Sequence, residues 1–279
     1  MKNPNFKVAL NRYLIDAWND DSLLDFFQGK TLYANCGDVC YKYTVHENAV
    51  LRREESRLFS THTHEEADLR MFHHVARSTF QHTRDNVPQS NFVVRTNDVD
   101  CLIIAIGCLE KLQSLNQNIK LWIEVGVESK NNLRYISTNQ IHESIGQSLA
   151  SALPAFHAFF GCDYLAAFCR KGKIRPYNLL KQDIPAQEAF ATLGEGSLVV
   201  PENARQEIER FLCKVYREKK LSSIDEVRFQ VFASKYKPKK NGAQSITDVK
   251  SMDGSAMPPG EDKSNSLCCV EMVIIYRTA

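Results

Sequence analysis

The acidic side chains that could do chemistry gather in three short stretches. Glu66 and Asp68 lie in HEEAD (64–68), Asp98 and Asp100 in NDVD (97–100), and Asp163 in FFGCDYLAAF (159–168). Carboxylates are hard oxygen donors that suit Mg²⁺ or Mn²⁺, and several on one rim repel one another unless cations fill the gap. One or two such ions can activate a water and stabilise the leaving oxygen of a phosphodiester, with no covalent nucleophile. Each stretch also has a plainer reading. Acids in HEEAD suit the first turn of a helix, since Met71, Phe72 and Val75 follow at helical spacing. NDVD suits a strand-to-helix turn capped by Asp98 or Asn97. Asp163 is the hardest to set aside, because an acid among apolar neighbours is costly to bury unless paired or bound.

A basic stretch lies just beyond the last acid. CRKGKIRPYNLLK (169–181) sets Arg170, Lys171, Lys173 and Arg175 around Gly172. A glycine-permitted turn that exposes amide N–H groups among cations suits a phosphate, so these five residues are candidate nucleic-acid contacts. The alternative is a solvated basic loop. His62, His64, His73 and His74 lack the spacing of a closed zinc site, and CGDVC (36–40) has no matching downstream pair, so it reads as a hairpin turn. KYKPKK (235–240) is a short basic run of the kind found in exposed loops and nuclear-import patches.

The 279 residues suit one large domain, or one domain with appendages, and 43% hydrophobic content supplies a core. A net charge of +2 is too even to argue for nucleic acid by itself, so any basic surface must come from local clustering. No apolar run is long enough to span a bilayer, and MKNPNFKVALNRY lacks the apolar core of a secretory signal. Nine cysteines at scattered spacings then fit a reducing compartment, nuclear or cytoplasmic, with no membrane partner.

Apolar periodicity predicts one or two helices over 5–27, then two β-rich runs joined near Gly37–Asp38. A helix from HEEAD to about Thr79 follows, then a buried strand in NFVVRT (91–96), where Asp98 and Asp100 sit just past the strand end. DCLIIAIGCLEKLQ (100–113) reads as a helix, IKLWIEVGVES and NLRYIST as strands, with another helix from about Asn139. Strands alternating with helices predict a mostly parallel sheet covered on both faces, with ligands at the carboxyl ends of its strands. Two amphipathic helices follow residue 200, and a weakly patterned, mobile tail begins at about Lys237.

Taken in order, EAD (66–68), TNDVD (96–100) and GCDY (161–164) resemble the acidic motifs of the flap-endonuclease branch of the PIN-like nucleases. The longer phrases THEEADLRMFHHVA, VVRTNDVDCLII and HAFFGCDYLAAFCRKGK also resemble uncharacterised animal proteins associated with mobile elements. The resemblance covers roughly residues 1–235. It implies a three-layer α/β PIN-like domain over 1–200 with a mainly parallel central sheet, a C-terminal helical extension over 201–236, and a flexible tail over 237–279. It also implies that Glu66, Asp68, Asp98, Asp100 and Asp163 hold one or two Mg²⁺ or Mn²⁺ ions, and that the stretch after GCDY grips the backbone of DNA or RNA. Glu65 precedes the matched triplet.

The resemblance departs at its start. Family members begin with a strand that ends in a metal-binding Asp, and the 65 residues before Glu66 show no such strand end. Asp38 reads instead as a hairpin residue. The expected activity is therefore metal-dependent phosphodiester hydrolysis on nucleic acid. The alternative is an inactive module of the same kind that binds nucleic acid or protein. A metal-dependent phosphatase is a third reading, against which the basic KGKIR stretch argues.

Overall fold

A computed structural model describes residues 4–37, 39–54, 67–161, 168, 171–194, 200–217, 221, 223–235 and 257–258. Asp38, Glu66, Asp163, Arg170 and nearly all of the expected tail lie outside the described residues. The chain forms two compact units, residues 1–81 and 82–279. The boundary falls within one helix, α3 (Ala67–Arg84).

In the first unit, α1 (Pro4–Ala17), a 3₁₀ turn (Asp21–Leu23) and α2 (Leu24–Phe27) precede three strands, β1 (Leu32–Cys36), β2 (Val39–His46) and β3 (Ala49–Glu54). They pair antiparallel in the order β1-β2-β3. The second hairpin turns on Glu47 and Asn48, with φ of 49° and 65°. Positive φ at both central residues is the two-residue turn whose twist matches the flanking strands. Phe27, Tyr43 and Val50 form a small core under Trp18, Leu23 and Leu24. The buried Tyr43 hydroxyl donates to the Ile15 carbonyl at 2.6 Å, which ties the end of α1 to the sheet.

The second unit opens with β4 (Ser90–Arg95), α4 (Val99–Leu115), β5 (Ile119–Val125) and β6 (Arg134–Ser137). β4 and β5 are parallel across the α4 crossover, whereas β5 and β6 are antiparallel. Six further helices follow: α5 (Thr138–Ile145), α6 (Gln147–Phe159), α7 (Ile174–Leu180), α8 (Ile184–Gly194), α9 (Glu202–Val215) and α10 (Ile224–Lys235). Buried Asn139 extends the sheet's bonding where β6 stops. Its amide accepts from Leu121 N–H at 3.0 Å and donates to the Ile119 carbonyl at 3.1 Å.

The expected three-layer PIN-like domain with a mainly parallel central sheet is corrected by this topology. Among the described residues there are ten α-helices and two three-stranded sheets, one antiparallel and one mixed. The reason lies in the connections. Residues 126–133 join β5 to β6 with only a 3₁₀ turn (Glu128–Lys130), too short a link for a parallel crossover, which needs a dozen residues or more. Gly126, at φ +89°, makes the turn where a Cβ would stand 2.3 Å from the Asn132 carbonyl oxygen. On the face opposite Val94 and Ile123, Val93 and Tyr135 are each 55% exposed, so among the described residues nothing covers these two positions of the sheet.

The main core of this unit is helical. Phe156 and Phe159 of α6, Phe190 of α8 and Phe211 of α9 interlock, with Phe190 edge-on to Phe156 at 5.6 Å and to Phe211 at 5.7 Å. α4 packs against α6, so the helix that starts at the acidic NDVD lies beside the helix that ends at Phe159.

Candidate functional site

The turn after β4 is built by its own polar side chains. Thr96 N–H donates to the Glu124 carbonyl at 3.0 Å, continuing the β4–β5 ladder by one bond. The Thr96 hydroxyl accepts from Asp98 N–H at 3.0 Å, and Asp98 Oδ1 accepts from Asp100 N–H at 2.9 Å. Asp98 is thus the N-cap of α4, in extended backbone at φ −87° and ψ 129°. Asn97 has a different partner: its Oδ1 accepts from Gly126 N–H at 2.8 Å, holding the loop after β5 beside the turn. Both acids therefore sit at the carboxyl end of β4 and in the first turn of α4.

Asp100 faces α6. Its Oδ1 lies 2.7 Å from Nε2 of His157, both side chains being mostly buried. A carboxylate accepts and does not donate, so in this bond Nε2 carries the hydrogen. Lys173 Nζ stands against the same ring, 3.2 Å from Nδ1 and 3.1 Å from Nε2. One imidazole accordingly connects an acid of the NDVD turn to a lysine of the basic loop.

The basic loop lines an open cleft of about 530 Å³, bounded by Lys171, Gly172, Lys173, Ile174, Arg175, Asn178 and Leu179. Gly172 takes a left-handed φ of +55°, the conformation for which glycine is suited. Lys171 Nζ sits 3.9 Å above the ring of Tyr216, which fixes one side of the loop on the helical core. Arg175 is exposed. Three cations of the expected phosphate-binding stretch therefore border one cleft, and one of the three is shared with the acidic turn.

The other expected site residues fall elsewhere. Asp68 is in the first turn of α3, half-buried, in the unit formed by residues 1–81. Phe160 and Gly161 end the described stretch before GCDY continues, with Gly161 at φ +101°. Among the described residues no three His, Cys, Asp or Glu side chains converge as a metal would require. His157 and Tyr216 were not expected from sequence. The signal for His157 was there to read, as the one ionisable group in ASALPAFHAFF (150–160), where a polar side chain needs a partner.

As donors for a divalent cation, Asp98 and Asp100 fit in kind. Each commits one oxygen, to the α4 cap and to His157 respectively, and among the described residues the second oxygen of each carries no hydrogen bond. Mg²⁺ is commonly held by one or two carboxylates while it keeps several waters. No helix among the described residues is long and apolar enough to cross a membrane. Compared with protein-family models, curated proteins and solved structures, the chain matches none.

Proposed function

We propose that this chain is a nuclease, or a nuclease-derived domain, that uses Mg²⁺ or Mn²⁺ to hydrolyse phosphodiesters of DNA or RNA. The observation that supports the reading is the shared imidazole: Asp100 and Lys173 meet the same His157 ring. A carboxylate that can hold a cation and an ammonium that can hold a phosphate thereby belong to one arrangement. Asp98 and Asp100 would hold the ion, which when bound would activate a water and neutralise charge on the leaving oxygen. Lys171, Lys173 and Arg175 would hold the backbone across the cleft. The ligand roles that the motifs imply for Glu66, Asp68 and Asp163, and the backbone contact implied for Arg170, rest on the resemblance alone.

A second reading has its own observation. Asp98 caps α4 and Asp100 pairs with His157, so both acids have structural work without any metal. That favours a catalytically silent module that binds nucleic acid or protein through the same basic cleft. Titration with Mn²⁺, followed by electron paramagnetic resonance, separates the two. The nuclease reading requires Mn²⁺ to bind the wild type and not the Asp98→Asn/Asp100→Asn protein, at unchanged helical content. A folded wild type without Mn²⁺ affinity leaves the binding module.

A further inference from the structure

We propose that His157 is the positioning residue of this site: its Nε2–H holds the Asp100 carboxylate in place while its ring seats the Lys173 ammonium. One side chain thus sets both the acidic turn and the basic loop. The inference deepens the nuclease reading and rests on it for the consequence at the metal, but not for the hydrogen bond itself.

Three observations carry it. First, the 2.7 Å contact between His157 Nε2 and Asp100 Oδ1 links residues 57 apart in sequence, on the two packed helices α4 and α6. A carboxylate free to rotate would lose side-chain entropy on binding an ion, whereas one already bonded through one oxygen presents the other at a fixed angle. Second, His157 itself cannot wander. It lies three residues after Pro154, which meets Gly107 of α4, with Phe156 of the aromatic core just before it and Phe159 two residues after it. Third, Lys173 belongs to a loop whose preceding lysine is pinned over Tyr216, so the loop is held at two points and one of them is this ring. Partners of this kind behind a ligating carboxylate are worth on the order of 10- to 100-fold in metal affinity.

The test uses the whole chain and two variants. His157→Gln keeps a terminal amide N–H able to reach Asp100, and His157→Phe keeps the ring's bulk without any donor. Imidazole ¹⁵N spectra of the metal-free wild type should show His157 as the Nε2–H tautomer, and the signal should move in Asp100→Ala. Mn²⁺ should then bind His157→Phe about tenfold more weakly than wild type, with His157→Gln recovering most of the loss. Thermal melts of both variants report whether either has lost its fold, and the glutamine variant keeps the comparison valid if phenylalanine is not tolerated. An Nδ1–H tautomer, or equal Mn²⁺ affinity in wild type and the phenylalanine variant, overturns the positioning role and leaves the nuclease reading standing. The Nε2–H tautomer in a wild type without Mn²⁺ affinity overturns the nuclease reading and leaves His157's hold on Asp100 intact.

Discussion

Gly107 of α4 and Pro154 of α6 meet so closely that a Cβ on Gly107 would lie 2.2 Å from the proline Cγ. This contact sets the spacing of the two helices that bring Asp100 to His157. Two effects compete in Gly107→Ala. Alanine gains roughly 1 kcal/mol of helix propensity inside α4, but a proline ring cannot swing aside, and overpacking of this kind costs roughly 1–3 kcal/mol. The proline wins at so short a distance. Urea denaturation should show a net loss of up to about 2 kcal/mol, and an alanine variant more stable than wild type would refute the helix packing described.

Asp183, buried at the start of α8, receives Arg210 Nη2 at 2.6 Å and Nη1 at 3.2 Å, and Lys214 Nζ at 2.7 Å. Burial pushes its pKa up, but the hydrogen bonds and charges of Arg210 and Lys214 outweigh that and hold it below the ordinary carboxylate value. A carboxyl group with a depressed folded-state pKa stabilises fully above its unfolded value of about 4. That contribution fades as pH falls through the folded value. Asp183→Asn should therefore cost about 2 kcal/mol at neutral pH, since it leaves Lys214 without its carboxylate and Arg210 with Glu207 alone. The difference from wild type should shrink in acid. Denaturant midpoints at pH 7 and pH 3 check this, and a pH-independent difference would count against the ion-pair account.

The Asp98 cap separates a structural role from a metal role. Asparagine caps a helix as well as aspartate does, whereas alanine costs about 1 kcal/mol. Asp98→Asn should melt like wild type and Asp98→Ala should melt earlier, while both should weaken Mn²⁺ binding. If the alanine variant alone weakened Mn²⁺, the carboxylate would not be the ligand.

Cys108 lies on the buried face of α4, and burial pushes its thiol up to about 12. The thiolate is the reactive form, so Cys108 should resist iodoacetamide at pH 8 in the folded protein and react on unfolding. Half-buried Cys36 should be labelled sooner on access alone. Peptide mapping after timed alkylation reads both sites, and early labelling of Cys108 would show that α4 is not packed as described.

Much of the local structure was legible in the residues. The apolar repeat placed α1, α9 and α10, the length of its apolar run placed α4, and the β-branched run NFVVR placed β4 within a residue of its observed start. The order of sheet pairing was not legible in that way. Periodicity reports which face of a strand is buried, but its partner's direction depends on the connection, and GVESKNNL turned out to be a short loop where a covered parallel sheet would need a helix. β3 was not expected because its turn uses Glu47 and Asn48 without glycine, so VHENAV lacked the usual hairpin signal. α6 and α8 were passed over for a different reason: both are apolar on nearly every face, as helices inside a core are, and show little periodicity. Of the candidate site, NDVD and the stretch around Gly172 were each singled out in the sequence, but not the histidine that touches both, since contact across 57 residues leaves no local pattern.

Cleavage of labelled single-stranded, flap and hairpin substrates, in DNA and RNA, tests the central claim most directly. The wild type would be incubated with Mg²⁺ or Mn²⁺ beside the Asp98→Asn/Asp100→Asn protein purified identically. The account predicts metal-dependent cleavage of at least one substrate by the wild type, lost in the double variant and suppressed by chelation. Folded wild type that cleaves none of them with either ion, or a double variant that cleaves equally well, would contradict it.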